Sequence, residues 1–225
     1  MTQQQSEEEL GEDIELARAI SEAEKVAHEA RLAEVNVQKA EMELLETQIN
    51  LNYQLAGEYN FCGRVDQKAM QRLNRQLRVW HKYKPNGEWV INLNSPGGDM
   101  YAGVGIVDEI NSYSLRGGGS HRVEIRVRGV AASAAGMILQ SADHRVIGRN
   151  SLLMIHKGSA GVHGTADDIA DEHQWWERSV DQMISLFLSR TDQVTRAQFL
   201  RNINRKDWWL TAEEALDLGL CDEIR

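Results

Sequence analysis

The spacing of apolar residues divides the chain into two parts. From about Glu7 to Leu55 there is no proline, Gly11 is the only glycine, and apolar residues recur at gaps of three or four. This stripe consists of Ile20, Ala23, Ala27, Ala30, Ala33, Val37, Ala40 and Leu44. The period predicts one long helix with a narrow, alanine-rich apolar face. We expect it to pack as a coiled coil against a second copy, against the globular part or against a partner protein. A solvated, charged helix with no specific role is the alternative.

Strand and helix patterns alternate after Ala56-Gly57-Glu58, which we take as the boundary between an extension of residues 1–56 and a domain of residues 57–225. Helices are predicted over Asp66–Tyr83, Tyr101–Tyr113 and Thr165–Arg190, and strands over Glu88–Asn94, Val123–Gly129, His144–Ile147 and Leu152–His156. Two capping boxes, Thr195 with Gln198 and Thr211 with Glu214, predict two further short helices, and Gly219 is the expected C-cap of the second. This alternation indicates an α/β domain with crossover connections.

The predicted helix Thr165–Arg190 is long and largely polar. Its apolar stripe is formed by Ile169, Trp176, Val180, Met183 and Phe187. The stripe is compatible with packing on the sheet and with a contact outside the domain.

Ser133 occupies the most informative position of the chain. A strand-like run ends at Gly129, and a cluster of small residues then places Ser133 at the start of a predicted helix. A sharp turn, small neighbours and a helix N-terminus expose a serine hydroxyl for nucleophilic attack. A serine between alanines is equally typical of ordinary helix packing, so other residues must decide.

A serine nucleophile needs a base, and the base needs an orienting carboxylate. His156 ends the apolar strand Leu152–His156, just before a glycine-containing loop, and is the candidate base. Asp207 is the candidate carboxylate, and we expect the neighbouring Trp208 and Trp209 to shield it from water. A structural histidine and a surface or helix-cap aspartate are the alternatives.

An oxyanion hole for acyl transfer requires backbone N–H groups close to the reacting carbonyl. Gly97 and Gly98 suit this role because they lack side chains and follow a predicted strand. The N–H of Ala134, at the head of the helix after the serine, is the second candidate donor. The segment Ser95-Pro96-Gly97-Gly98 alone would be an ordinary turn.

Composition and charge exclude several classes. The net charge is −9, but residues 1–60 contain 14 acidic and 4 basic residues, so the acidity belongs to the extension. No basic face indicates nucleic-acid binding, no apolar run is long enough for a membrane helix, and the acidic N-terminus is unlike a secretory signal. Cys62 and Cys221 show no metal-ligand spacing and are expected to be reduced thiols. We therefore expect a cytoplasmic protein without metal or cofactor.

Several segments together resemble the ClpP (caseinolytic) serine proteases. INLNSPGGDMYAGVGIVDEI is similar to the oxyanion segment of that family, GVAASAAG to its nucleophile motif and LLMIH to its histidine motif. GVHGTADDIADE resembles the start of its protruding handle helix, and DWWLTAEEALDLGLCDEI the segment that begins with its catalytic aspartate. The resemblance covers roughly Tyr59 to the C-terminus and retains the order Ser, His, Asp.

The resemblance implies a ClpP/crotonase-like superhelix of ββα units with a handle helix. It implies a serine endopeptidase in which Ser133 is the nucleophile, His156 the base, Asp207 the orienting carboxylate, and Gly97 and Ala134 the oxyanion donors. It also implies heptameric rings, often stacked in pairs, that enclose the active sites and take protein or peptide substrates.

Three departures from the family pattern qualify these expectations. Ala134 replaces a methionine, Lys157-Gly158 replaces a Gln-Pro pair, and the acidic helix replaces the short loops that engage a AAA+ unfoldase. Docking of an unfoldase is therefore in doubt, and the extended chain is similar to ClpP-related proteases of tailed phages that process capsid or scaffold proteins. The rival hypotheses are a crotonase-type acyl-CoA enzyme and an assembly protein with a residual triad.

Overall fold

A computed structural model of the 225-residue chain describes residues 3–159 and 161–225, with side chains in the first helix described only at positions 18, 21–49, 52 and 55. The chain forms two compact units, residues 1–52 and Tyr53–Arg225. Helix α1 spans Gln3–Leu55, which confirms the predicted long helix. Ile20 of the predicted stripe lies outside the described side chains, and the other stripe residues are all exposed.

The second unit is built on a mainly parallel sheet. Its described strands are β1 (Glu58–Cys62), β2 (Trp89–Ser95), β3 (Val123–Ala132), β4 (His144–Ile147), β5 (Leu152–Ile155), β6 (Trp208–Leu210) and β7 (Glu223–Ile224). The order β1-β2-β3-β4-β7 is parallel throughout, β5 pairs in parallel with β3, and β6 pairs antiparallel with β5. The predicted α/β class is thereby confirmed. Strands β1, β6 and β7 were not predicted from the pattern; β6 and β7 have only three and two residues.

Strand β3 does not end at Gly129, as the sequence pattern predicted, but continues to Ala132. Its first half pairs with β4 and its second half, from Val130, pairs with β5. Gly129 adopts a φ of 112°, a conformation that favours glycine, and its N–H donates to Ser151 Oγ at 2.8 Å. The glycine therefore lets the strand change partners and carries it forward to Ser133.

Helices connect the strands. They are α2 (Gln67–Tyr83), α3 (Met100–Tyr113), α4 (Ala134–Gln140), α5 (Ala166–Leu188), α6 (Arg196–Ile203) and α7 (Ala212–Asp217). The predicted capping boxes at Thr195 and Thr211 are both present, and a third, between Thr165 and Asp168, was not predicted. The cap residue of α7 is Leu218, so the predicted cap, Gly219, lies one position further along the chain, with a φ of 65°. Helix α4 is buried along its whole length, so the residues after Ser133 are anchored in the core.

Helix α5 packs on the domain through its second half only. Val180, Met183 and Phe187 of the predicted stripe are buried, whereas Ile169 is exposed. The side chains from residue 166 to residue 175 are all exposed. The first half of α5 therefore extends beyond the packed core, as a handle helix would.

The core of this unit is formed by side chains from strands β1–β6 and helices α2–α7. Its largest fully buried side chains include Trp80, Trp89, Phe187 and Phe199. Among the helices in the described part of the chain, none combines the length and apolar character required to cross a membrane.

Candidate active site

Ser133 lies at the turn between β3 and α4 in a strained conformation. Its φ is 57° and its ψ is −123°. A positive φ is unusual for a residue with a side chain, because the Cβ atom then crowds the backbone and raises the conformational energy. Its N–H donates to the Met154 carbonyl at 2.8 Å, and its carbonyl accepts from the Gly136 N–H at 2.9 Å. Ser133 is partly exposed between buried alanines, so the structure does not support the helix-packing interpretation, which requires a buried serine.

Strand pairing brings His156 next to Ser133. Ala132 of β3 is paired with Met154 of β5, so the residues that follow these two strands emerge at the same edge of the sheet. The Nε2 atom of His156 lies 2.8 Å from Ser133 Oγ. This distance is that of a hydrogen bond between a nucleophile and its base.

Asp207 reaches His156 through the antiparallel pair β5–β6. Ile155 is paired with Trp208, which places the histidine after one strand beside the aspartate before the other. The Nδ1 atom of His156 lies 3.1 Å from Asp207 Oδ1. Because a carboxylate only accepts, Nδ1 must carry the proton, and the lone pair of Nε2 is then directed at the serine hydroxyl.

The expected shielding of Asp207 by the tryptophan pair is wrong. The Asp207 side chain is 52% exposed, and Trp209 is 50% exposed. Trp208 packs against the core instead, edge-on to the ring of Phe199 at a centroid distance of 5.4 Å. The aspartate in this chain is therefore open to solvent, and the histidine, at 28% exposure, is more enclosed.

The candidate oxyanion donors Gly97, Gly98 and Ala134 all line the cavity that also contains Ser133. Gly97 is close to the serine, but its N–H donates to Ser95 Oγ at 3.1 Å. Among the residues that the structure describes, the N–H groups of Gly98 and Ala134 have no hydrogen-bond acceptor. Both residues line the cavity at Ser133, so these two donors are free to bind a ligand oxygen.

Comparison with known proteins assigns the family. The family model described as Clp protease matches residues 33–225. The chain belongs to the Clp protease family. It is 32% identical to the ATP-dependent Clp protease proteolytic subunit 3 of Rhodococcus jostii over 164 residues, which cover 72% of this chain and 77% of that protein. It is also 28% identical to the ATP-dependent Clp protease proteolytic subunit of Deinococcus radiodurans, over 71% of this chain and 76% of that protein.

Membership of this family makes the chain a serine peptidase, a hydrolase. A third relative, the ATP-dependent Clp protease proteolytic subunit 2 of Corynebacterium glutamicum, is 31% identical over 71% of this chain and 77% of its own length. The family match begins inside α1 at residue 33, so residues 1–32 lie outside it. The ClpP-type resemblance of the motifs is confirmed.

In this Clp protease, a cavity of about 440 Å³ opens beside the serine. Its wall includes Met137 of α4, Trp176 and Met183 of α5, and the segment from Pro96 to Tyr101. The apolar pattern of α5 predicted Trp176 and Met183 as part of a packing stripe, and their contact with the cavity was not predicted. No spacing rule distinguishes the two roles, because both use the same apolar face of α5.

The rim of the cavity is charged and is bridged by aromatic residues. Arg64, Lys157 and Glu172 line it. The hydroxyl of Tyr101, another lining residue, accepts from Trp175 Nε1 at 2.7 Å, which links α5 to the start of α3. The cavity therefore combines these charged side chains with the apolar side chains of the buried Met137 and Met183.

The rest of the described chain offers no grouping of three or more His, Cys, Asp or Glu side chains suited to a metal ion. Cys62 is exposed and Cys221 is buried, and both are free thiols. Burial raises the pKa of Cys221 to about 11, so this thiol stays protonated near neutral pH.

Proposed function

We propose that the chain is a serine endopeptidase that cleaves peptide bonds through an acyl-enzyme, with Ser133, His156 and Asp207 as its catalytic triad. The observation that carries the proposal is the continuous hydrogen-bond chain from Ser133 Oγ to His156 Nε2, 2.8 Å, and from His156 Nδ1 to Asp207 Oδ1, 3.1 Å. Three residues distant in sequence meet in the order and tautomer that acyl transfer requires.

Acylation begins with attack of Ser133 Oγ on the substrate carbonyl carbon. The serine proton moves to His156 Nε2, and Asp207 stabilises the resulting imidazolium through Nδ1–H. When the tetrahedral intermediate collapses, the C–N bond breaks and His156 returns its proton to the leaving amine. In deacylation, His156 takes a proton from water, the water oxygen attacks the ester, and the proton returns to Ser133.

The oxyanion is bound by the N–H groups of Ala134 and Gly98. Ala134 is the first residue of α4, whose N-terminus also favours negative charge. Gly97, the donor expected from the motif, has its N–H engaged by Ser95 Oγ. Gly98 directly follows it, lines the same cavity and has a free N–H among the described residues. Gly97 then acts by allowing the close approach that brings this turn against Ser133.

The protease domain, residues 57–225, assembles into a homo-oligomeric ring around its active sites, a heptamer that can stack in pairs. Support comes from α5, whose first half exposes Ile169 and Trp175 beyond the packed core. Exposed apolar residues on an extended helix are suited to contacts between copies. Substrates are proteins or peptides, and the triad chemistry itself uses no ATP. We therefore expect small peptides to be cleaved without an unfoldase.

A fluorophosphonate probe tests the catalytic proposal. Full-length protein is expected to be labelled at Ser133 and to cleave casein or a fluorogenic peptide, and Ser133→Ala is expected to lose both properties while retaining its circular dichroism spectrum. Ser112→Ala, an exposed serine outside the cavity lining, serves as the matched control and should keep both. Cleavage by Ser133→Ala would contradict the proposal.

The same preparation separates the rival functions. A crotonase-type acyl-CoA enzyme needs no triad, so stoichiometric labelling of Ser133 excludes it. An assembly protein with a residual triad would show neither labelling nor cleavage. Native mass spectrometry reports the number of subunits and so tests the ring. Processing of phage capsid or scaffold proteins stays a prediction from the sequence resemblance.

A further inference from the structure

Helix α1 has an apolar seam with a heptad spacing. Every side chain from residue 21 to residue 49 is exposed. Counting from Ala23 as position a, the a and d positions as far as Leu44 are Ala23, Val26, Ala30, Ala33, Val37, Ala40 and Leu44, and the next d position is the polar Thr47. The gaps alternate strictly between three and four, which is the period that keeps one face directed at a neighbouring helix. We call these seven residues the seam.

The seam is a shallow groove because four of its seven residues are alanines. An open hollow on the surface of α1 is lined by Glu22, Ala23, Val26, Ala27 and Ala30. Small side chains along a helix allow close approach of a neighbour with larger side chains. The seam is therefore suited to a neighbouring helix that presents large apolar side chains.

The opposite face of the same helix is such a ridge. Its large apolar side chains occupy the f position and the adjacent b and c positions, which lie farthest from a and d in a heptad. These residues are Leu32, Val35, Met42, Leu45 and Ile49, with exposures between 49% and 64%. We call these five residues the ridge. None of them is an alanine, so the two faces of α1 differ in shape.

Charge separates the two faces in the same way. The e and g positions beside the seam carry only acidic charges within residues 21–49: Glu22, Glu29, Glu34, Glu41 and Glu43. The basic residues of that stretch, Lys25, Arg31 and Lys39, all lie at b or c positions beside the ridge, together with Glu24 and Glu46. The seam is thus flanked by negative charge and the ridge by a net positive charge.

We infer that the seam of one copy receives the ridge of the next copy, so that the α1 helices of neighbouring subunits associate face to back. In this arrangement the alanine-rich seam of one helix receives the larger side chains of the neighbour's ridge. The glutamates beside the seam then face the lysines and the arginine beside that ridge. Two seams facing each other would instead bring glutamates together: Glu29 would oppose Glu34 of the partner in a parallel pair, and g would oppose g in an antiparallel pair. The acidic flanks thus disfavour the symmetric dimer in either orientation.

A face-to-back contact is heterologous, so it propagates from copy to copy until it closes into a ring. In the proposed seven-membered ring each helix then has two neighbours, whereas symmetric pairing would leave one helix of an odd-numbered ring unpaired. This step rests on the proposed ring; the pairing of the two faces does not rest on the proposed catalysis.

Cysteine cross-linking in the full-length protein tests the pairing. In a Cys62→Ser background, seam variants Ala33→Cys, Val37→Cys and Ala40→Cys are each coexpressed with ridge variants Val35→Cys and Met42→Cys carrying a different tag. We expect disulfide-linked dimers in at least one seam–ridge combination and little self-linking by any single variant. Self-linking of the seam variants would overturn the inference in favour of a symmetric coiled coil. No cross-link in any combination would overturn it in favour of a different occupant.

Charge reversal provides a matched comparison on the same helix. Glu41→Lys, beside the seam, is expected to lower the seam–ridge cross-linking yield by about threefold or more, since an interhelical charge pair turns from attractive to repulsive. Glu46→Lys, the same change beside the ridge, should not lower it. Equal losses in both variants would contradict the assignment of the two faces. Peptide cleavage by these variants, measured in parallel, reports the catalytic proposal separately.

Discussion

Gly97 lies so close to Ser133, the proposed nucleophile, that a Cβ built on Gly97 would be only 2.7 Å from the Cβ of Ser133. That Cβ would also overlap the carbonyl oxygen of Ala132. The close approach holds the turn after β2 against the turn after β3, which is how the oxyanion segment and the serine come to share one cavity. A side chain at this position must displace one of the two turns.

We therefore expect Gly97→Ala to show a large loss of kcat/KM and only a small loss of unfolding free energy. A displacement of about 1 Å at a reacting group can lower kcat by about a hundredfold. Gly63→Ala is the control, because Gly63 also has a positive φ, 97°, but a Cβ there would have no neighbour within 4 Å. In both variants we expect backbone strain to lower the free energy of unfolding by about 1–2 kcal/mol. Urea denaturation measures this loss. Equal kcat/KM values for the two variants would contradict the positioning role of Gly97.

Asp207→Asn should reduce kcat by about 10³–10⁴-fold, because an amide next to Nδ1 no longer enforces the tautomer that leaves Nε2 free to accept the serine proton. The denaturation midpoint should not change, since this side chain is 52% exposed. Asp217→Asn, another exposed aspartate outside the site, is the matched control. A variant with wild-type kcat would show that His156 is oriented by something other than Asp207.

Because of His121, we expect the free energy of unfolding to fall in mild acid. Burial, opposed by its hydrogen bond to the Gly87 carbonyl and assisted by the charge of His81, holds the pKa of His121 below its usual range. The Gly87 carbonyl requires a proton on Nδ1, so Nε2 accepts from His81 Nδ1 across 2.9 Å, and the ring stacks on Trp89 at 3.8 Å. Tyr113 is the other titratable group beside this ring.

Because the folded chain binds this proton more weakly than the unfolded chain, protonation favours unfolding. The free energy of unfolding should be level above about pH 7.5 and should fall as the pH drops below about 6.5. Urea midpoints measured across this range should depend less on pH in His121→Phe than in the parent chain. His163 is exposed, so His163→Gln is the control and should show the same pH dependence of the urea midpoint as the parent chain. If His121→Phe also retains the parent's full pH dependence, other groups cause the effect.

Asp222 is expected to be important for stability although it does not line the cavity at Ser133. Arg145 is 3% exposed and donates from Nε to Asp222 Oδ2 at 3.0 Å and from a terminal nitrogen to Gln140 Oε1 at 2.6 Å. Burial alone would raise the pKa of Asp222, but its hydrogen bonds with Arg145 and the Arg145 charge outweigh burial and lower it.

Asp222→Ala leaves Arg145 buried without its counter-charge, which costs about 3 kcal/mol of unfolding free energy. The comparison is Asp181→Ala, whose ion pair with Arg196 is largely exposed and should contribute much less. Chemical denaturation monitored by tryptophan fluorescence measures both. Similar midpoints for the two variants would show that the buried pair is not a principal source of stability.

The sequence pattern predicted those secondary-structure elements that are stabilised by interactions between residues close together in the chain. A helix was predicted over Asp66–Tyr83 because its apolar residues repeat with the helical period, and the structure begins this helix at Gln67, with Asp66 as its N-cap. The capping boxes at Thr195 and Thr211 were predicted for the same reason, since each bond joins residues three apart. Strands β6 and β7 were missed because two or three residues carry no period, and they are strands only through their partners.

The candidate triad was named from the sequence through motif order, and its geometry was not. Motifs indicated Ser133, His156 and Asp207, but the distances among them follow from the register of β5 with β3 and with β6. The sequence also suggested a strand end at Gly129 and a shielded Asp207, and both expectations were wrong. In each case the deciding contact, with β5 or with solvent, involves residues far apart in the chain.

By itself, the sequence determined the α/β class and the long N-terminal helix with its heptad seam, and it named the candidate residues for the proposed chemistry, because periodicity, capping and motif order are written in neighbouring positions. Tertiary structure alone decided which N–H groups are free at Ser133, that Trp176 and Met183 line the cavity as well as the core, and how exposed each triad member is. These properties depend on strand register and burial, which arise only when distant segments pack together.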